Sequence, residues 1–134
     1  LNIRRLTEND WSFLPIWWEQ WPKWQTPSRD ALPENGLGGL IVEKEGKPII
    51  AGFIYTTNSK GVWLEWIISD PKYREDDRQD ALELLINGAQ AVCKEQGFKY
   101  VLFIGKHTNL INTFEKLGWS VDRTPSYELI KIIN

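Results

Sequence analysis

The sequence has 134 residues, 42% of them apolar, enough for one continuous core and too few for two full domains. Sixteen basic residues against eighteen acidic ones leave a net charge of −2, and no block of Lys or Arg is present to neutralise a row of phosphates, which argues against nucleic acid as a partner. One cysteine, Cys93, excludes an intramolecular disulfide, one histidine, His107, cannot build a His/Cys metal cage, and no run reaches the roughly 18 apolar residues of a membrane span.

With no apolar signal segment in Leu1-Asn2-Ile3-Arg4-Arg5, the expectation is a cytoplasmic protein with no metal and no membrane contact. Eight tryptophans are the unusual feature, five of them Trp11, Trp17, Trp18, Trp21 and Trp24.

Ile3 to Leu6 alternates briefly as an edge strand, and Thr7-Glu8-Asn9-Asp10 then reads as a capped helix start. That helix runs to about Trp21, kinked by Pro15 and ended by Pro22. Trp11, Leu14, Trp18 and Trp21 share one face of it, with Phe13, Trp17 and Trp24 on another. Gln25 to Gly36 has a loop composition that can hold a short helical turn at most, and is the expected mobile flap. Three strands follow, 37–43, 48–57 and 62–69, whose short Gly-containing links at Lys44-Glu45-Gly46 and Asn58-Ser59-Lys60-Gly61 predict an antiparallel meander.

Residues 77–96 place Leu82, Leu85, Ile86, Ala89, Val92 and Cys93 on one helical face, with Gly97 as the stop. Phe98 to Ile104 reads as a buried strand, so the unit from Val62 to Ile104 is a strand, helix, strand crossover that is parallel and right-handed. A short helix follows at Leu110, Ile111, Phe114 and Leu117, stopped by Gly118. Strands near 119–122 and 127–132 are expected to close the chain as a hairpin. The fold class is therefore α/β (α+β), with a mixed sheet in a single domain spanning 1–134.

This order of elements resembles the GNAT superfamily of acyl-CoA N-acyltransferases over essentially the whole chain. Two segments carry the resemblance. Trp63-Leu64-Glu65-Trp66-Ile67-Ile68-Ser69-Asp70-Pro71-Lys72-Tyr73-Arg74 looks like the family's fourth strand running into its cofactor loop. Phe114-Glu115-Lys116-Leu117-Gly118-Trp119 looks like its Tyr-Glu-Lys-Leu-Gly-Phe segment. The resemblance implies acetyl-CoA lying where the fourth and fifth strands splay. Its pyrophosphate would be held by backbone amides at the start of the intervening helix, where unpaired N–H groups and the helix dipole favour an anion.

The family's loop pattern is Arg/Gln-x-x-Gly-x-Gly/Ala, and Arg74-Glu75-Asp76-Asp77-Arg78-Gln79 stands in its place, with Asp77 and Gln79 at the two glycine positions. A carboxylate at a helix N-terminus satisfies the same amides a pyrophosphate needs, so Asp76 or Asp77 is a competing cap, with Arg74 and Arg78 offsetting the repulsion. Phe114 stands where many members carry a Tyr that protonates the departing thiolate, and His107 where members often have Asn. Ile67 and Ser69 would offer backbone groups to the acyl carbonyl and the pantetheine chain.

Trp63, Glu65 and Ile67 share one strand face by period-two geometry. Glu65, a carboxylate among apolar neighbours, is the candidate general base; the other reading is a polar residue paired across strands. Trp17, Trp21 and Trp63 are candidate walls of an acceptor pocket, the alternative being core and hydrophobic cover. The expected activity is transfer of an acetyl group from acetyl-CoA to a primary amine, on a small molecule or a protein, by direct attack, in a monomer or homodimer. The rival is a GNAT-fold binding module or acyl-CoA sensor that uses its tryptophan-rich face for a partner.

Overall fold

The alternating segments form one five-stranded sheet in the order β1 (Asn2–Arg5), β2 (Gly39–Lys44), β3 (Lys47–Tyr55), β4 (Gly61–Ser69) and β5 (Tyr100–Leu102). Each of the first four strands is antiparallel to its neighbour and β5 is parallel to β4, as the short Gly-containing links of β2 to β4 and the long crossover to β5 require. The structure, a computed structural model, describes residues 1–22 and 24–133. These fall into two compact units, Leu1–Ile104 and the residues from Gly105 onward.

Within the first unit each face of the sheet is covered. On one face lies α1 (Leu14–Gln20), whose Leu14, Trp17 and Trp18 are buried with Ile41, Ala51, Phe53 and Ile68. Pro15 begins this helix instead of kinking a longer one: residues Glu8–Ser12 form a separate 3-10 turn, and a proline in the first helical turn removes only an N–H that would lack an intrahelical acceptor. Pro22 ends it as expected.

On the other face α2 (Arg78–Glu95) buries Ala81, Leu82, Leu85, Ile86, Ala89 and Cys93. It lies so close to β1 that a Cβ on Gly88 would stand 2.4 Å from Ile3 Cδ1. Burial pushes the Cys93 thiol pKa up, which leaves it an inert core group.

The second half of the expected flap is tied to the rest of the unit by hydrogen bonds. Arg29 makes paired bonds to the Glu8 carboxylate and donates to the Asn35 carbonyl, Trp11 Nε1 donates to the Gly36 carbonyl at 2.7 Å, and Tyr55 donates to the Ala31 carbonyl at 2.9 Å. Leu32 is buried among the α1 side chains. These anchors turn a loop-like composition into two short 3-10 turns, Arg29–Ala31 and Pro33–Gly36.

Asp10 anchors the entry to α1. The residue is 2% exposed, and its carboxylate accepts from both Arg4 Nη atoms at 2.8 and 2.9 Å and from Thr7 N–H at 2.8 Å. Burial alone would raise its pKa, but the Arg4 and Thr7 bonds together outweigh that and hold it below the usual carboxylate value. A folded-state pKa below the unfolded ~3.9 means that this contribution is present at neutral pH and is lost as pH falls below about 4. Asp10→Asn should therefore lower stability at pH 7 by about 2 kcal/mol, with much of the difference gone at pH 3. Urea denaturation at both values checks this, and equal midpoints at pH 7 would contradict it.

The second unit contains α3 (Thr108–Lys116), and Phe114, 3% exposed, meets Trp119 edge-on at 4.6 Å. The expected closing strands are a correction: among the described residues no strand follows Leu102. Tyr127, Leu129, Ile130, Ile132 and Ile133 are 77% to 94% exposed. Alternation gives those segments strand propensity, but a strand exists only when paired, and an isolated hairpin is marginal without a buried face.

Candidate functional site

The geometry of β4 decides the site. Ile50 stands opposite Ser69 and Ala51 opposite Ile68, but Phe53 stands opposite Glu65, so the single residue Gly52 faces both Trp66 and Ile67. This is a β-bulge, and Trp66 adopts the left-handed region with φ of 55°. The bulge breaks the period of two.

Trp63 and Glu65 stand opposite Tyr55 and Phe53 and so look toward α1. Ile67 points the other way, where it lies with Leu64 and Leu85 around Gly52. The expected shared face of Trp63, Glu65 and Ile67 is thus corrected: an extra residue turns Ile67 to the α2 side. Trp66 keeps its ring edge-on to Trp18, at 6.5 Å between centroids.

Beside the bulge the sheet opens. β5 pairs with β4 only from Gly61–Tyr100 to Trp63–Leu102 among the described residues. Farther along, Glu65 reaches across, its Oε1 accepting the Ile104 N–H at 3.0 Å. The Asp70 N–H donates to the Ile49 carbonyl at 2.9 Å, which makes Ile50 and Ser69 a pair whose own backbone groups turn away from each other. The Ser69 carbonyl therefore faces the open edge of β4, and there it accepts a bond from Trp21 Nε1 at 2.8 Å.

Residues 70–77 carry the chain from β4 to α2. Asp77 occupies the N-cap position of α2, yet its side chain makes no capping bond. Its Oδ1 accepts from the Tyr73 hydroxyl at 2.6 Å and its Oδ2 from Lys44 Nζ at 3.0 Å. The Tyr73 hydroxyl first, and Lys44 second, hold the Asp77 carboxyl below its ordinary pKa, and Asp77 in turn raises both partners. The carboxylate expected to compete for the helix amides is instead drawn off by a buried tyrosine and a lysine of β2. Lys47 adds a second cation, 5.5 Å above the Tyr73 ring. Arg74 and Arg78 are exposed and Gln79 is half-buried in the first turn of α2.

The remaining predicted residues divide between cover and site. Trp17 is 5% exposed and packs against Phe13 at 4.9 Å, which gives it a core role, while Trp21 and Trp63 are half-buried beside the β4 edge. Arg29 lies 4.6 Å over the Trp11 ring. In the second unit His107 is exposed at the N-cap of α3, where it makes no side-chain capping bond, and Phe114 is buried.

Sequence reasoning missed Lys44, 33 residues from Asp77, and Trp66, whose left-handed backbone no pattern announces. Tyr73, four residues before Asp77, was the one readable signal. Among the described residues no group of three His, Cys, Asp or Glu is placed to hold a metal ion, and no helix is long and apolar enough to cross a membrane. A half-open cleft of about 250 Å³, lined by Arg5, Glu34, Tyr55, Thr56 and Gln96 among others, contains none of the predicted site residues.

No protein-family model matches the sequence, and no curated protein is similar to it at the sequence level. Solved structures are similar in fold. An aminoglycoside acetyltransferase from an uncultured soil metagenomic sample superposes with a TM-score of 0.68 at 13% identity, covering 98% of this chain and 96% of that one. Glucosamine-6-phosphate N-acetyltransferase of Arabidopsis thaliana gives 0.63 at 18% identity, over 97% and 98% of the two chains. A ribosomal-protein-alanine N-acetyltransferase of Escherichia coli gives 0.66 at 16% identity, over 87% and 76%. At these identities the likeness concerns the fold, and the fold of this chain is that of the GNAT acetyltransferases.

Proposed function

We propose that this protein is an N-acetyltransferase that moves the acetyl group of acetyl-CoA to a primary amine. The observation that carries the reading is the open β4 edge, with the Ser69 carbonyl turned into it, leading through a short loop to a helix whose cap carboxylate is turned aside. An extended thioester arm carrying amides fits a strand edge as a further strand would. Its phosphates fit the amides at the start of α2, and Lys44 and Lys47 there add to the positive charge of Arg74 and Arg78.

In the proposed reaction the amine nitrogen bonds to the acetyl carbon, the carbon–sulfur bond breaks and CoA leaves as its thiolate. Glu65 takes the proton that the attacking ammonium must lose, from the α1 side of β4, where Trp21 and Trp63 border the approach. Phe114 supplies no proton to the thiolate, which is a tolerable leaving group unaided, since thiols are far stronger acids than alcohols, cysteine itself having a reference pKa of about 8.5. We also propose the cytoplasm as its location and a monomer or homodimer as its state. The acceptor lies on a small molecule or a protein.

Asp77 and Gln79 at the glycine positions favour a second reading, in which the chain keeps the fold as a partner-binding module or acyl-CoA sensor. Release of free thiol from acetyl-CoA across a panel of primary amines tests the first reading. Amine-dependent release is the expected result; binding of acetyl-CoA without release under any acceptor would leave the sensor, and no binding would leave the module.

A further inference from the structure

The sequence makes Trp21 a candidate wall of an acceptor pocket, and the structure gives it a further partner. It follows the last residue of α1, lies against the core cluster of that face, and sends its indole N–H 48 residues along the chain to the Ser69 carbonyl at 2.8 Å. That carbonyl faces the open edge of β4, away from β3, and the β5 ladder stops at Trp63 opposite Leu102. The indole therefore meets a strand-edge acceptor in the direction from which an added strand, or any extended chain with an amide N–H, would meet it. A carbonyl oxygen can accept a second bond, but the indole N–H and an incoming amide N–H would reach the Ser69 carbonyl from the same open side and so compete for it.

We propose that Trp21 is a placeholder for the amide-bearing arm of acyl-CoA, and that binding of the thioester requires its indole to leave the Ser69 carbonyl. This deepens the reading under Proposed function and rests on it. Because Trp21 closes α1 and precedes Pro22, the same displacement moves the end of the helix on the face where Glu65 and Trp63 stand, so the cofactor arm and the acceptor approach are linked through one side chain. It also selects the donor: a thioester whose arm lacks an amide N–H cannot replace the bond it breaks.

The test uses the whole chain. Trp21→Phe keeps an aromatic ring but removes the N–H, and calorimetry should show acetyl-CoA binding about fivefold more tightly than to the unmodified protein, the equivalent of one net neutral hydrogen bond. Independently of that variant's folding, the Trp21 indole N–H resonance of the unmodified protein should shift when acetyl-CoA saturates it. Equal or weaker binding by a folded Trp21→Phe, or an indole resonance that stays put in the saturated complex, would overturn the proposal and leave the acetyltransferase reading standing. Absence of acetyl-CoA binding by both proteins would overturn the acetyltransferase reading and this proposal with it.

Discussion

Glu65→Gln should lower kcat for acetyl transfer by about 10² to 10³-fold while leaving the thermal midpoint nearly unchanged. The substitution keeps a side-chain oxygen able to accept the Ile104 N–H, now made by Glu65 Oε1 at 3.0 Å, so the link between β4 and β5 survives. What is lost is the capacity to take a proton. Steady-state rates with an amine that the panel identifies, together with a melting curve, separate the two roles. An unchanged kcat would make Glu65 a clamp between diverging strands and no base.

The largest effect on stability is expected at Trp18. Its side chain is fully buried and meets Trp11 at 6.0 Å, Phe53 at 6.3 Å and Trp66 at 6.5 Å, so it joins α1, β3 and the bulge of β4 in one cluster. Trp18→Ala should cost about 4 kcal/mol through lost transfer energy and the cavity left behind. Trp18→Phe should cost much less, about 1 kcal/mol, because the Trp18 Nε1 donor has no hydrogen-bond partner among the described residues and removing it offsets part of the lost packing. Urea denaturation of both variants checks the pair, and an alanine variant that loses under 1 kcal/mol would show that this cluster does not hold α1 to the sheet.

Much of the sheet was legible because short links leave few choices. Lys44-Glu45-Gly46 and Asn58-Ser59-Lys60-Gly61 can only join neighbours, and the 18 residues of α2 force the parallel crossover to β5. The apolar stripe from Leu82 to Cys93 and the stop at Gly97, which has φ of 89°, gave the long helix closely. The site was less legible. A bulge is one residue of slip, so the pattern of Trp63, Glu65 and Ile67 looks regular until the backbone at Trp66 turns left-handed.

The state of the loop was hidden for a different reason. Whether Asp77 caps α2 depends on Lys44, a residue that only the folded sheet brings within 3.0 Å of it. Thr7-Glu8-Asn9-Asp10 was readable as a capped helix start, but the bond from Arg4 to Asp10 was not, because a helix-start pattern is local and a bidentate bond back to an edge strand is not. Tyr127 to Ile132 shows the converse: a strand-like pattern without a partner strand among the described residues does not become one.

In the proposed function acetyl-CoA binds along β4 and at the start of α2 although Asp77 and Gln79 fill the glycine positions. Isothermal titration of acetyl-CoA into the unmodified protein, beside an Asp77→Gly and Gln79→Gly variant, tests it most directly. The unmodified protein should bind in the micromolar to submillimolar range and the variant only slightly more tightly, since Lys44 and Tyr73 already hold the Asp77 carboxylate aside. No heat of binding until the glycines are restored would contradict it.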